Sequence, residues 1–363
     1  MSEISTYFSD FISNIRLSSD LENHLKTAHK ELRERLKEDE ITKDILIESF
    51  LQGSYKRATI IKPEDGHRVD VDVIAVTNID HSVVTPIEAF SIVMPFVEKY
   101  YENHRQQSRS IGITLDKVDM DLVITAAPSE ETKSEIRKAN LSEAYSIDDI
   151  YEMNKSGQRF DGAVAQESFF QMDEKSSWRE EPLLIPDYDD NVWYRTHPLE
   201  QIRWTREKNQ LCNGHFTHVV KALKWWKRVS MPDIKNPKSY PLEHFIGDCC
   251  PNGITSIAEG ITKTFDYIVA NHPTKPYLAD RGVPEHDVFE KLTEHDYQLF
   301  YSNVEKFAPI AKAALESESI SESVELWRAF FMNCEEFPKY SGPYGSYTQR
   351  TQPASSIPTG RFG

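Results

Sequence analysis

The sequence predicts an α+β protein with two lobes: first a mixed β-sheet flanked by helices, and then a C-terminal lobe made of helices. Two observations support this prediction. The chain has 363 residues, which is more than one small domain needs and enough for two lobes. Strand-like segments separated by a helix are followed by mostly helical sequence, an order typical of α+β folds.

The first predicted elements are a long helix and a segment that ends in a turn. Apolar residues recur every three or four positions over residues 18–39, which predicts an amphipathic helix. Ser18, Ser19 and Asp20 are candidate N-caps for this helix. The next segment, ILIESFLQGS, is typical of a helix end or a strand that runs into a Gly-Ser turn.

Acidic strands follow on both sides of a helix that begins near Thr85. In HRVDVDVIAVT one face carries Val69, Val71, Val73 and Ala75, and the other carries Asp70, Asp72, Ile74 and Val76. SIGITLDKVDMDLVITAAP supplies two more strands, and in the second of them Asp119 and Asp121 also share a face. Two strands of the predicted sheet therefore carry pairs of acids.

We expect the chain to divide near residue 190. Residues 1–190 would form the sheet lobe, including a polar stretch at about 129–190 that reads as an insertion with a short helix or two. Residues 191–338 would form the helical lobe, where FTHVVKALKWWKRV and PLEHFIGDCC are followed by two late helical segments. Residues 339–363 are rich in Ser, Gly, Pro, Tyr and Thr, which predicts a flexible tail.

Composition narrows the classes of function. A formal net charge of −16 argues against a protein that coats nucleic acid, because binding to the phosphate backbone needs a basic face. It leaves room for a local basic pocket that binds a triphosphate. No apolar run is long enough to span a membrane, and the N-terminus lacks the pattern of a signal peptide.

The cysteines give no sign of disulfides or of a zinc site. The sequence contains four of them and no CxxC pair, so we expect a cytoplasmic protein with reduced thiols. His244 lies just before Cys249 and Cys250. A tetrahedral zinc site needs a fourth ligand, and none follows nearby, so the zinc interpretation is disfavoured.

The acids on the strands predict a site for divalent cations. Asp70 and Asp72 would have Cα atoms roughly 6.5 Å apart and side chains on the same side of the sheet. Two such carboxylates repel each other, and Mg²⁺, which prefers oxygen ligands, converts that repulsion into coordination. A third carboxylate from a neighbouring strand, Asp121 or Asp119, would complete a two-metal site. The alternative for Asp-x-Asp alone is the polar face of an edge strand.

The turn at Gly53 and Ser54 favours the metal-site interpretation. Gly53 allows the backbone to approach a phosphate closely, and the N–H groups and hydroxyl at Ser54 can bind phosphate oxygens. A Gly-Ser turn followed by Asp-x-Asp is the pattern of nucleotidyltransferases with a polymerase-β-like core.

Longer segments resemble the bacterial CD-NTases, the cyclic-oligonucleotide synthases related to cyclic GMP–AMP synthase and oligoadenylate synthase. QGSYKRATIIKP with VDVDVIAV resembles their core, and WYRTHPLEQIRW resembles the link into their helical lobe. FTHVVKALKWWKR with KSYPLEHFI resembles the first helices of that lobe, and ELWRAFF resembles its last helix. The match covers about residues 20–338 and implies a bilobal, polymerase-β-like nucleotidyltransferase.

The resemblance implies a role for each residue of the first lobe. Gly53 and Ser54 would hold the donor triphosphate, and Asp70 and Asp72 would bind Mg²⁺. Asp121 matches the third carboxylate, because LVITA follows it as in the family. Its family role is to ligate metal and to assist deprotonation of the acceptor hydroxyl.

The resemblance also implies phosphate contacts from the helical lobe. Lys221, Lys224 and Ser239 match positions that meet nucleotide phosphates in relatives. Helix geometry agrees independently, because Lys221, Lys224 and Arg228 lie on one helix face. In an acidic chain such a cluster favours a local anion site, and the alternative is a solvated basic face.

The implied activity is template-independent synthesis of a cyclic di- or trinucleotide from ATP and other NTPs by two-metal phosphoryl transfer. The metal would be Mg²⁺, for which Mn²⁺ can substitute, and the product would act in bacterial anti-phage signalling. One alternative is a linear oligoadenylate-type or macromolecule-modifying nucleotidyltransferase. Another is a non-catalytic nucleotide-binding module. Base selection, ring size and linkage stay open.

The expected partners are NTP substrates, ATP among them, and a regulatory or ubiquitin-transfer-like protein at the C-terminal tail. The tail ends in Phe362 and Gly363, and in some such systems a ubiquitin-transfer-like partner joins the synthase C-terminus to a target. An ordinary frayed end is the alternative. The sequence lacks the basic face and zinc ribbon through which DNA activates animal cyclic GMP–AMP synthase, so we expect no DNA requirement and no membrane association.

Overall fold

The computed structural model describes residues 2–138 and 181–342. These residues form a sheet lobe and a helical lobe, so the predicted mixed sheet flanked by helices and the helical C-terminal region are confirmed. Most of the predicted insertion at 129–190 and most of the predicted tail at 339–363 lie outside the described residues.

The described strands form one mixed sheet. They are β1 (Leu46–Gln52), β2 (Val69–Thr77), β3 (His104–Gln106), β4 (Ile111–Thr114), β5 (Val118–Ala126), β6 (Leu183–Asp187) and β7 (Val192–Thr196). The order is β1-β2-β5-β4-β3, and β6 pairs with the end of β5 and with β7. Strands β2 and β5 are parallel to each other, whereas the other neighbours are antiparallel.

Two of the predicted helices begin at the capping residues that the sequence indicates. The described helices are α1 (Ser2–Asn14), α2 (Ser19–Glu38), α3 (Gly53–Lys56), α4 (Pro86–Tyr100), α5 (Glu130–Lys138), α6 (Pro198–Leu211), α7 (Phe216–Ser230), α8 (Ser239–Cys249), α9 (Ile257–Asn271), α10 (Glu294–Glu316) and α11 (Ile320–Phe330). Ser18 caps α2, and Thr85 and Glu88 form a capping box at α4. None of the described helices is long and apolar enough to cross a membrane.

Helices α2 and α4 cover one face of the sheet. Val71 and Val73 of β2 and Leu122 of β5 are buried against Leu32 of α2 and Phe96 of α4. Burial of one such side chain contributes roughly 1.5–3 kcal/mol. Because a slip of one residue would expose the whole set, this core fixes the register of the strands.

The opposite face of the sheet has an apolar part and an acidic part. Ile74, Val76 and Val123 pack with Ile136 of α5 and Leu183 of β6. Nearer the beginnings of β2 and β5, the same face carries the acids, because side chains alternate along a strand. The acidic part of the face is thereby left open toward the helical lobe.

Aromatic residues form the core of the helical lobe. Trp226 of α7 is buried, and its ring centroid lies 4.8 Å from that of Phe265, 5.6 Å from that of Phe307 and 6.1 Å from that of Phe330. Aromatic pairs of this kind contribute about 0.5–1.5 kcal/mol beyond their burial. Helices α7, α9, α10 and α11 are therefore held as one unit.

Helix α1 packs with the helical lobe, although the predicted division assigned residues 1–190 to the sheet lobe. Tyr7, Phe8 and Phe11 of α1 are buried in the same core as α11, and the rings of Phe11 and Phe331 are 4.4 Å apart. Helix α1 therefore belongs to the helical lobe, the sheet lobe follows it in the sequence, and the later helices complete the helical lobe. The short apolar stripe of α1 is buried against the core of the helical lobe.

Candidate active site

Two pairs of carboxylates face each other across the parallel strands β2 and β5. Asp72 is the register partner of Asp121, and Asp70 is the register partner of Asp119. Partners on neighbouring strands point to the same face, with the strands about 4.8 Å apart. The register therefore brings together acids from two separate segments of the sequence.

Burial and mutual repulsion raise the pKa values of Asp70 and Asp72. Desolvation raises the pKa of Asp70 to about 6, and the charges of Asp119 and Asp121 add to the increase. Desolvation also raises the pKa of Asp72 to about 6, where the charge of Asp121 adds and the guanidinium of Arg57 opposes. Such carboxylates are unfavourable as anions until a cation joins them.

Asp121 and Asp119 differ in their hydrogen bonds. The side-chain amide of Gln107 donates to Asp121 Oδ1 at 2.8 Å, and burial raises the pKa of Asp121 in spite of this bond. Asp119 Oδ1 is buried and has no hydrogen-bond partner among the described residues. The candidate favoured from the sequence, Asp121, is the one that lies beside Asp72.

The Gly-Ser turn lies directly against Asp72. Gln52, the last residue of β1, is the register partner of Asp72, and Gly53 has a φ of +78°. A Cβ on Gly53 would overlap Asp72 Oδ2 and would lie 2.9 Å from Asp72 Cγ. Glycine alone suits both the left-handed backbone and the close approach. The turn therefore lies next to the Asp72 carboxylate, as predicted from the sequence.

A cavity of about 470 Å³ opens between the two lobes. Ser54 and Asp70 line it from the sheet lobe, and Lys224 and Ser239 line it from the helical lobe. The wall also contains the acid Glu64 and the basic side chains His67, Arg68, Lys227, Arg228, Lys235 and Lys238. In a chain with a net charge of −16, this concentration of basic residues favours a bound anion.

The two lysines predicted on α7 have different surroundings. Lys224 lines the cavity, and its Nζ donates to the backbone oxygen of Thr59 at 3.0 Å and to Glu243 Oε1 at 2.9 Å. Lys221 is 1% exposed, and it does not belong to the cavity wall in the part of the chain that the structure describes. The fold therefore brings Lys224 and Ser239 to the cavity and keeps Lys221 inside the lobe.

Two further charged residues of this region were missed from the sequence. Arg57 directly follows the short helix α3. Its Nε donates to Glu243 Oε2 at 3.1 Å, and both side chains are buried. The signals were present: Arg57 belongs to QGSYKR, and Glu243 stands among the apolar residues of PLEHFI. A charge within an apolar helix face indicates a buried partner, but the sequence does not identify that partner.

The donor atoms at this place fit a divalent cation. All are carboxylate oxygens, the type Mg²⁺ prefers, and one oxygen of Asp119 has no partner among the described residues. Within residues 2–138 and 181–342, no three His, Cys, Asp or Glu side chains converge closely enough to hold an ion by themselves. Mg²⁺ in nucleotide sites normally uses one or two carboxylates and takes its other ligands from phosphates and water.

This arrangement suits chemistry on a nucleoside triphosphate. The basic wall and the Ser54 turn can bind phosphates, and the acids of β2 and β5 can bind the accompanying cations. Asp121 adds a carboxylate of raised pKa that can accept a proton.

Comparison with known sequences agrees with this chemistry. The family model named Second Messenger Oligonucleotide or Dinucleotide Synthetase domain matches residues 1–139. The chain is 40% identical to cyclic AMP-AMP-GMP synthase of Enterobacter hormaechei subsp. hoffmannii (strain UCI 50), over 99% of this chain and 100% of that protein. It is 42% identical, with the same coverage, to a Salmonella paratyphi B protein described as "Probable cyclic AMP-AMP-GMP nucleotide synthase".

Solved structures share the fold at lower identity. Vibrio cholerae DncV cyclic AMP-GMP synthase, in complex with a linear intermediate, has a TM-score of 0.62 at 14% identity, over 91% of this chain and 95% of that chain. E. coli MS115-1 CdnC, in a complex with HORMA-deltaN, has a TM-score of 0.60 at 14% identity, over 92% of this chain and 98% of that chain. Since the sequence relatives match along their whole length, the chain belongs to the bacterial CD-NTase family, and it is a nucleotidyltransferase of the cyclic oligonucleotide synthase type.

Proposed function

We propose that this CD-NTase makes a cyclic trinucleotide from ATP and GTP without a template. The observation that carries the proposal is the cavity between the lobes, which gathers Ser54, Asp70, Lys224 and Ser239 from separate segments. Two relatives at 40% and 42% identity are described as cyclic AMP-AMP-GMP synthases. Their descriptions support a ring of two adenosines and one guanosine over the dinucleotide alternative.

The donor triphosphate would lie in the cavity. The hydroxyl and backbone N–H groups at Ser54 would bind phosphate oxygens from one wall, and Lys224 and Ser239 would bind them from the other. Binding there would bring the α-phosphorus beside Asp70 and Asp72. These two acids and Asp121 would hold two Mg²⁺ or Mn²⁺ ions, which when bound stabilise charge on the phosphates and lower the pKa of the acceptor hydroxyl.

The acceptor nucleotide would react at a ribose hydroxyl. Its oxygen forms a bond to the α-phosphorus of the donor, the bond to the β-phosphate oxygen breaks, and pyrophosphate leaves. Asp121 would assist removal of the hydroxyl proton, because it lies beside Asp72 on the neighbouring strand. Gln107 would keep Asp121 in position through its bond to Oδ1. Repetition of the step lengthens the chain, and a last intramolecular step closes the ring.

The test is a product analysis with purified protein. The protein is incubated with the four NTPs and Mg²⁺, the mixture is treated with phosphatase, and resistant products are examined by mass spectrometry and linkage-specific nucleases. We expect a phosphatase-resistant product with the mass of cyclic AMP-AMP-GMP. A product that loses terminal phosphates would show a linear oligonucleotide, and the absence of any product with all four NTPs would contradict the proposal.

We further propose that the product is a second messenger in bacterial anti-phage defence. Membership of the CD-NTase family supports this role. The expected consequence is that cells lose protection against phage when Asp70 and Asp72 are both replaced by Asn. Protection that survives this double substitution would contradict the proposal.

We also propose a regulatory protein partner. CdnC, a structural neighbour, has been solved with HORMA-deltaN, which supports a regulatory partner.

A further inference from the structure

A buried carboxylate connects the two lobes behind the cavity. Glu243 of α8 accepts a hydrogen bond from Lys224 Nζ through Oε1 at 2.9 Å and from Arg57 Nε through Oε2 at 3.1 Å. The three side chains are only 5–7% exposed. Lys224 belongs to the helical lobe and Arg57 belongs to the sheet lobe, so one carboxylate holds cations from both.

The same group of residues reaches the phosphate-binding turn. Lys224 also donates to the backbone oxygen of Thr59 at 3.0 Å, and the N–H of Thr59 donates to the backbone oxygen of Ser54 at 2.9 Å. The N–H of Arg57 donates to the backbone oxygen of Gly53 at 3.1 Å. A displacement of either cation would therefore be transmitted to the turn that carries Ser54.

The charges around Glu243 favour its carboxylate form in the folded protein. Burial by itself raises the pKa of Glu243, but the charges of Lys224 and Arg57 outweigh burial and bring its pKa below the usual value. Lys224 and Arg57 thus share one carboxylate as their partner, and the cluster of these three side chains carries an excess of positive charge. Arg57 lowers the pKa of Asp72, and Glu243 raises it by a smaller amount.

We propose that Glu243 is a positioning residue for the nucleotide: it holds Lys224 in the cavity wall and Arg57 at the end of the Gly-Ser turn, and so sets how the two lobes meet around the substrate. This inference rests on the proposed function, because it concerns the same cavity. Glu243 is not part of the cavity wall in the described portion of the chain. It acts through Lys224, which is part of that wall.

A purely structural ion pair makes a different prediction. Such a pair would lower the melting temperature when broken, yet it would leave the KM of the folded molecules unchanged. A positioning residue alters substrate binding and turnover in molecules that are folded. The experiment must therefore measure nucleotide affinity and KM separately from stability.

The test compares Glu243→Gln with the wild type. The measurements are KM and kcat for ATP, calorimetric binding of a non-hydrolysable ATP analogue with Mg²⁺, and the melting temperature. We expect KM for ATP to rise and kcat/KM to fall by about 100-fold, the cost of a misplacement of about 1 Å at a catalytic site. The analogue should bind more weakly by a similar factor.

A matched control is Asp39→Asn in the sheet lobe. Asp39 is also a buried carboxylate, and it accepts from Lys99 Nζ at 2.6 Å and from the hydroxyl of Tyr100 at 3.0 Å. It is not part of the cavity wall in the described ranges. This substitution should lower the melting temperature and leave KM and the affinity for the analogue at wild-type values.

Two further variants keep the test decisive. Glu243→Asp retains the charge, so it should recover part of the affinity that Glu243→Gln loses; if Glu243→Gln does not fold, Glu243→Asp is compared with the wild type instead. In a Lys224→Met background, Glu243→Gln should cause little additional loss of affinity, because the two residues act as one unit.

The possible results separate this inference from the proposed function. Wild-type affinity and KM in folded Glu243→Gln, or in Glu243→Asp where that variant replaces it, would overturn the role of Glu243 while leaving the proposed function intact. A wild-type protein that binds no analogue and forms no product would overturn the proposed function and this inference with it.

Discussion

Gly53 lies so close to Asp72 that a Cβ at residue 53 would overlap the Oδ2 atom of the Asp72 carboxylate. Gly53 also has a left-handed backbone, with a φ of +78°. The turn proposed to bind phosphates and the strand proposed to bind cations are therefore packed as one unit. A change in either one moves the other.

Gly53→Ala should nearly abolish product formation. The added methyl group displaces the Asp72 carboxylate or the turn, and a displacement of about 1 Å at such a site costs about 100-fold in rate. The measurement is the rate of cyclic product formation per folded molecule. The matched control is Gly214→Ala, where φ is +79° and no atom lies within 4 Å of the new Cβ. It should lose about 1–2 kcal/mol of stability and keep its rate; a similar loss of rate in both variants would contradict the argument.

Asp121→Asn and Asp119→Asn should have unequal effects. Asp121 lies beside Asp72 and is held by Gln107. Loss of a residue that only supports a metal ligand costs at most about 100-fold in activity. Because Asp121 is proposed to be a ligand itself, its loss should reduce kcat by more than about 100-fold. Asp119→Asn should reduce kcat by a smaller factor. Steady-state rates with ATP, GTP and Mg²⁺ decide the order, and a larger effect at residue 119 would reverse the assignment of the third carboxylate.

Asp72→Asn should stabilise the metal-free protein at pH 7.5. The pKa of Asp72 is about 6 in the folded protein and about 3.9 in an unfolded chain. Between these values the folded state binds more protons, so stability falls as the pH rises from about 4 to about 6, and the loss persists at higher pH. Asn removes this cost. The melting temperature of the variant in EDTA should exceed that of the wild type at pH 7.5, and the difference should vanish near pH 4.

The same titration predicts how cations affect the wild type. Mg²⁺ with a non-hydrolysable nucleotide should raise the melting temperature at pH 7.5, where Asp70 and Asp72 are ionised. The rise should shrink below about pH 6, the pKa that both groups reach in the folded protein. An equal rise at pH 5 and pH 7.5 would show that these carboxylates do not bind the cation.

Phe11→Ala should destabilise the helical lobe. The ring of Phe11 is fully buried and contacts Phe331 and Phe337, so its removal should cost about 3–5 kcal/mol. Ser9→Ala on the exposed side of α1 is the control and should stay within about 0.5 kcal/mol of the wild type. Denaturant unfolding measures both variants, and equal stability of the two would show that α1 is not part of this core.

Local signals were sufficient for the elements with strong periodicity or clear caps. The leucine pattern predicted α2, Thr85 predicted the start of α4, and alternation predicted β2 and β5. Helices α1, α6 and α9 were not predicted from the sequence. A helix as short as α1 is marginal in isolation, and its stability comes from packing against the helical lobe. Trp327 and Phe331, which contact Phe8 and Phe11 of α1, lie more than three hundred residues away in the chain, and local patterns do not reveal such partners.

The sequence by itself determined which residue types stand on which face of each strand and helix, and thereby the two lobes, the acidic strand face and the glycine turn. Only the tertiary structure decided which of these residues meet. The strand register pairs Asp72 with Asp121. The packing of the lobes brings Lys224 but not Lys221 to the cavity. It also places Glu243 within hydrogen-bond distance of Arg57 in the other lobe. The reason is that periodicity depends on neighbours within one element, whereas register and lobe packing depend on burial summed over residues far apart in the chain.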